Sequence, residues 1–145
     1  GENSNSEMHQ DTYGSVAKGF IYLQNTEVGN SPFEYLEGSY IDASYRSQQT
    51  NRAILNDDLF SSGSTRIRGK VLEEATNRFG MTTFTGSGGL FVLANTSGYH
   101  RKGAHNSEKP RIMLACGVER KGIFSKLAIN LYEIFKLKVY RIFNK

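Results

Sequence analysis

The amino-acid sequence predicts an all-β fold with minor helices, on three observations. Fifteen glycines are spread over 145 residues. Apolar residues come in short runs bounded by Gly, Asn, Ser and Pro, and no helical heptad pattern is present before the last quarter of the chain. Such punctuation suits many short strands joined by tight turns.

Taken in order, residues 1–8 are small and polar and read as a loose end. The first chemically loaded cluster, Met8-His9-Gln10-Asp11, follows at once. Residues 19–24 form a short apolar run suited to a buried strand, 25–32 supply turn chemistry, and 33–37 alternate like a second strand, so the three together read as a hairpin. Residues 45–79 read as a long insertion with one or two short helices, since Val71, Leu72, Ala75 and Phe79 recur at helical spacing. A β-branched run at 81–85, a glycine-rich turn at 86–89 and a buried strand at 90–94 follow. The turn lacks the lysine of a phosphate loop. After a loop carrying His100, residues 111–116 suit another strand, and Cys116 is expected there as a small buried hydrophobe. At 123–143, Leu127, Leu131, Ile134 and Phe135 suit a helix, although 135–139 alternate like a strand.

Composition narrows the class. With 38% hydrophobic and 22% charged residues the chain is expected to fold, as a single domain of 1–145. One cysteine permits no internal disulfide, and no apolar leader or long uncharged apolar run is present, so a reducing cytoplasm fits best. Seven Lys/Arg against one acid give residues 120–145 a charge of +6, leaving −2 for the rest. This basic, helix-prone tail suits attraction to an acidic surface, with membrane-surface docking the less favoured version. It lacks the aromatic and basic platform of a nucleic-acid groove, so no nucleic-acid partner is expected.

The chemistry concentrates in few residues. A mononuclear Fe(II) site for oxygen chemistry uses two imidazoles and one carboxylate on one side of the metal, leaving the other positions for substrates. His9 and Asp11 stand two apart, which on extended chain puts both side chains on one side. A distant strand must bring the third ligand, and His100 is the candidate. His-x-Asp alone is a common pair, but Arg111, eleven residues after His100, offers a guanidinium fork suited to a carboxylate. His105 reads as a solvated loop residue, Arg101 and Lys102 as solvent or rim charges, and Phe20 and Tyr22 as core aromatics that can also wall a pocket.

These words and spacings resemble the phytanoyl-CoA dioxygenase family of Fe(II)/2-oxoglutarate-dependent oxygenases. The resemblance runs from Met8-His9-Gln10-Asp11-Thr12 through residues 29–39 (GNSPFEYLEGS) to residues 94–103 (ANTSGYHRKG) and Lys109-Pro110-Arg111. It implies a double-stranded β-helix, the jelly-roll, cupin-like barrel. It implies His9, Asp11 and His100 as iron ligands, Arg111 as the residue binding the far carboxylate of 2-oxoglutarate, and Fe(II), 2-oxoglutarate and O2 as cofactors. Tyr40 stands where the family commonly has histidine. Asp11 stands where halogenating members carry a small residue, so the resemblance implies hydroxylation of a small organic or acyl substrate. Family members run well past 200 residues and nothing here resembles their N-terminal part, so the chain reads as the C-terminal part of a longer catalytic domain. A barrel lacking its N-terminal elements exposes sheet edges, which makes a homo-oligomer or a missing segment a reasonable expectation. The rivals are a non-catalytic β-barrel metal- or ligand-binding module, a cupin-type metalloenzyme that does not use 2-oxoglutarate, and an interaction protein organised around the basic tail.

Overall fold

A computed structural model describes residues 6–11, 16–56, 60–61, 64–106 and 111–119. Most of the expected loose end, Thr12, Lys109, Pro110, and the basic tail of 120–145 with its expected helix lie outside the described residues. Nine strands and two helices are described. Strands β1 (His9–Gln10), β3 (Phe33–Leu36), β4 (Phe60–Ser61), β5 (Ser64–Arg66), β6 (Met81–Phe84) and β8 (His100–Lys102) form one antiparallel sheet, in the order β4-β5-β1-β8-β3-β6. Strands β2 (Val16–Tyr22), β7 (Phe91–Asn95) and β9 (Met113–Glu119) form a second, in the order β7-β2-β9. The helices are α1 (Ala43–Leu55) and α2 (Gly69–Phe79). The fold class is thus mostly antiparallel β with two helices, as the glycine and turn pattern predicts.

Period-two alternation sorts the side chains of the larger sheet into two cores. On β3, Phe33 and Tyr35 turn toward the smaller sheet and join Tyr22 and Val92, with Phe20 of β2 only 5.0 Å from Phe33 between ring centroids. Leu36 turns the other way and packs with Met8, Ile67, Tyr99, Tyr45 of α1 and Ala75 of α2. The larger sheet is therefore a middle layer, with the small sheet on one face and the helices on the other. The amphipathic stripe expected at 71–79 serves this second core, since Val71, Leu72 and Phe79 pack against it. Asp42 caps α1 by accepting from the Tyr45 N–H at 2.9 Å, and Gly80 ends α2 with φ 73°, a conformation costly for residues with a Cβ. Leu36 is fully buried where sheet and helices meet. Replacing it with alanine should cost about 3 kcal/mol, read as a lowered urea midpoint with an unchanged m-value.

Several expectations are corrected. Residues 19–24 and 33–37 do not form a hairpin: β2 pairs with β7 and β9, whereas β3 pairs with β6 and β8. The chain between them crosses from one sheet to the other, held by bridges from Thr26 to Gly86 and from Asn30 to His105. The glycine-rich turn at 86–89 makes the reverse crossing, from β6 to β7. Residues 45–79 are more than an insertion carrying helices, since β5 lies within them and pairs directly with β1. The run at 90–94 is not buried throughout: Val92 turns inward, while Phe91 and Leu93 are exposed because the outer face of the small sheet has no cover among the described residues. Cys116 is exposed for the same reason. The last strand begins at Met113, so Arg111 precedes it instead of opening it.

Candidate metal centre

The short strand β1 is clamped between β5 and β8, and this pairing builds the site. His9 stands directly opposite His100 in the β1–β8 pair, and their rings lie 4.5 Å apart between centroids. Asp11 continues the chain on the same side, and its backbone N–H donates to the Thr96 carbonyl at 2.9 Å. Its Oδ1 lies 3.7 Å from His9 Nε2 and 3.8 Å from His100 Nε2. One ligand atom from each of the three residues falls within 4.8 Å of the others. Between the ligands, Gln10 turns to the opposite face and donates to Thr50 and Thr65, anchoring the strand to α1 and β5.

The hydrogen bonds settle the chemistry of both imidazoles. His9 Nδ1 lies 2.7 Å from the Glu7 carbonyl and His100 Nδ1 lies 2.9 Å from the Gly98 carbonyl. A carbonyl only accepts, so each Nδ1 carries the proton and each Nε2 presents its lone pair toward Asp11. Both rings are buried. Burial holds the His9 pKa below its ordinary value and, with His9 alongside, takes His100 down to about 4. Near neutral pH both are uncharged bases, the form a metal requires. Burial pushes the Asp11 carboxyl up, but Lys18, His100 and Thr96 together outweigh it and hold the carboxyl below its ordinary range. A carbonyl-anchored imidazole pair beside an ionised carboxylate is the donor set of a two-histidine, one-carboxylate facial site, and the residues fit such a metal.

The site opens into a cleft of about 130 Å³ between the two sheets. One wall carries the triad with Phe33, and alternate residues of β2, Lys18, Phe20 and Tyr22, form the other with Arg111 and Met113. Lys18 Nζ lies 2.6 Å from Asp11 Oδ2, engaging the carboxylate oxygen that does not face the imidazoles. Sequence reasoning missed Lys18, although its place in the Lys-x-Phe-x-Tyr alternation marks it as sharing a face with the two aromatics. Arg111 donates through Nη1 to the Ser31 carbonyl at 2.7 Å, and Ser31 adopts a left-handed backbone with φ 53°. One of the five guanidinium N–H groups is used this way, which leaves donors for a ligand. The Tyr22 hydroxyl is buried with no hydrogen-bond partner among the described residues, the Phe33 N–H facing it without closing a bond. Burial raises the Tyr22 pKa against the pull of the nearby Arg111 charge.

The remaining sequence candidates fall elsewhere. Arg101 reaches the cleft but is ion-paired with Glu34 at 2.5 Å, and Lys102 lines the rim. His105 is exposed in its loop, outside the ligand group. Tyr40 is exposed. Gly98 supports the site by its lack of a side chain, since a Cβ there would collide with the Tyr35 hydroxyl and come within 2.9 Å of Ser39 Oγ. No helix among the described residues is long and apolar enough to cross a membrane. Comparison of the chain with known protein families and with curated proteins gives no match.

Proposed function

We propose that the chain is an Fe(II)- and 2-oxoglutarate-dependent dioxygenase of the phytanoyl-CoA dioxygenase type, hydroxylating a small organic or acyl substrate. The observation that carries this reading is the convergence, on one buried cleft, of two neutral imidazole Nε2 atoms, an ionised carboxylate and a separate guanidinium on the opposite wall. A double-stranded β-helix accommodates the arrangement, since its two facing antiparallel sheets hold a metal between them near one end of the barrel.

His9, Asp11 and His100 would hold the metal, and the carbonyls of Glu7 and Gly98 fix the ring orientations. Lys18 holds the outer oxygen of Asp11, so that Oδ1 faces the imidazoles. Arg111 binds the far carboxylate of the cosubstrate, and the Tyr22 hydroxyl supplies a second donor beside it. Phe20, Phe33 and Met113 exclude water from the space between metal and guanidinium. Fe(II) with 2-oxoglutarate and O2 supplies the oxidation itself, one oxygen atom entering a substrate C–H bond as the cosubstrate becomes succinate and CO2.

Anaerobic titration with Fe(II) and then 2-oxoglutarate tests the reading through the weak visible charge-transfer band of the chelate. The band should form in the wild-type chain. In Arg111→Ala it should need about 10- to 100-fold more 2-oxoglutarate, as expected for loss of a charge-assisted pair. Fe(II) binding with no band at saturating 2-oxoglutarate would sink the proposal and favour a metal-binding module or a metalloenzyme without this cosubstrate.

A further inference from the structure

The turn that carries the chain from β7 to β8 holds two of the three candidate ligands at once. It leaves the small sheet at Asn95, paired with Ala17, and enters the large sheet at His100, paired with His9 and Tyr35. Thr96 and Ser97 are buried on the way. The carbonyls of residues 95–98 are all engaged, in alternation. The Thr96 carbonyl accepts from the Asp11 N–H at 2.9 Å, and the Gly98 carbonyl accepts from His100 Nδ1 at 2.9 Å. The Asn95 carbonyl accepts from the Tyr35 hydroxyl at 2.9 Å and from the Gly98 N–H at 3.1 Å, and the Ser97 carbonyl accepts from Arg46 Nη1 of α1 at 3.2 Å. One pair of carbonyls thus holds the ligands, and the other pair is itself held.

Asn95 sets the shape of the turn. Its Oδ1 accepts from the Ser97 N–H at 3.1 Å and from the Ser97 hydroxyl at 2.7 Å, the local bonding by which asparagine fixes a reversal of the chain. Ser39 closes the far side, its Oγ accepting from the Tyr99 N–H at 2.9 Å.

We propose that Asn95 and Arg46 are positioning residues for the metal: Asn95 shapes this turn and Arg46 pins it to α1, so that the backbone of Asp11 and the ring of His100 are set together. The inference rests on the reading of His9, Asp11 and His100 as metal ligands. His9 is oriented separately, by the Glu7 carbonyl, and this supplies an internal control. A turn that only stabilised the fold would loosen both rings when lost, whereas one that positions ligands loosens His100 alone.

Imidazole nitrogen NMR of the metal-free chain at neutral pH reads the tautomers directly. In the wild-type chain both rings should be in the Nδ1–H form. In Asn95→Ala, and in Arg46→Met, which removes the donor and keeps the apolar stem, His100 should become a mixture of tautomers while His9 is unchanged. Asn95→Asp retains the acceptor and should leave His100 as in wild type. Affinity for Co(II), which takes the same nitrogen and oxygen donors, should fall about tenfold in the first two variants and stay level in the third. A single Nδ1–H tautomer at His100 in both Asn95→Ala and Arg46→Met, or mixing at both rings, overturns the proposal. Either result leaves the metal reading standing so long as the wild-type chain binds Co(II) and His100→Ala does not. A wild-type chain that binds no Co(II) overturns the metal reading and the positioning role with it.

Discussion

Replacing His100 with alanine is expected to lower Fe(II) affinity by more than about 100-fold while leaving the fold intact. Loss of an outer partner that merely orients a metal ligand typically costs about 10- to 100-fold, so loss of the ligand itself must cost at least the upper end. Here the imidazole is one of two neutral nitrogen donors, and its Nδ1 is tied to the Gly98 carbonyl, so no neighbouring group is placed to take over. The substitution leaves a small void beside Phe33, whose ring lies 5.5 Å from that of His100, and this costs stability without removing either sheet. Competition against a chelating dye, with far-UV circular dichroism to establish folding, makes the measurement. His105→Ala is the control and should bind as wild type, because that side chain is exposed in its loop outside the ligand group. Equal affinity in wild type and His100→Ala would remove the triad from consideration.

The second large effect is on acid stability of the metal-free chain. Burial lowers the His100 pKa from 6.5 to about 4 and lowers that of His9 in the same direction. Between these values the unfolded chain takes up a proton that the folded imidazole refuses. Unfolding then consumes protons, and stability falls as the pH falls. The contribution is fully present above about pH 6.5 and is lost progressively down to about pH 4, roughly 3 kcal/mol for His100 alone. Asp11 acts in the same sense at lower pH: its carboxyl is held below the ordinary value, so the stability it confers disappears as the pH drops through and below 3.8. Urea midpoints of the metal-free chain should therefore decline steadily from about pH 7 to about pH 4.5. His100→Phe should flatten the decline. A midpoint that stays level over this range would show that the imidazoles are not held neutral.

Much of the site is written in short stretches of chain. His9 and Asp11 stand two apart on extended backbone, and that spacing alone requires them to share a side. Arg111 was singled out by residue type and position, and it lines the same cleft as the triad, while the helical face of α2 was legible from its apolar spacing. The pairing of strands was not legible in this way. β1 is two residues long, yet it meets partners at Thr65–Arg66 and at His100, far along the chain, and no local pattern encodes such a register. The hairpin expectation failed for the same reason: turn chemistry at 25–32 shows that the chain reverses, but not that it leaves one sheet for the other.

Residue identity by itself determined the donor types, the mostly β character and the location of the basic charge, because these depend on composition and on periodicities of about two and 3.6 residues. Only the tertiary structure decided that Lys18 stands beside Asp11, that Tyr22 and Arg111 share a wall of the same cleft, and that Cys116 faces outward. Each of these depends on which face of a strand is covered. An apolar run such as 90–94 is compatible with burial on one face or on both, and the choice is made by whatever other segments pack against it.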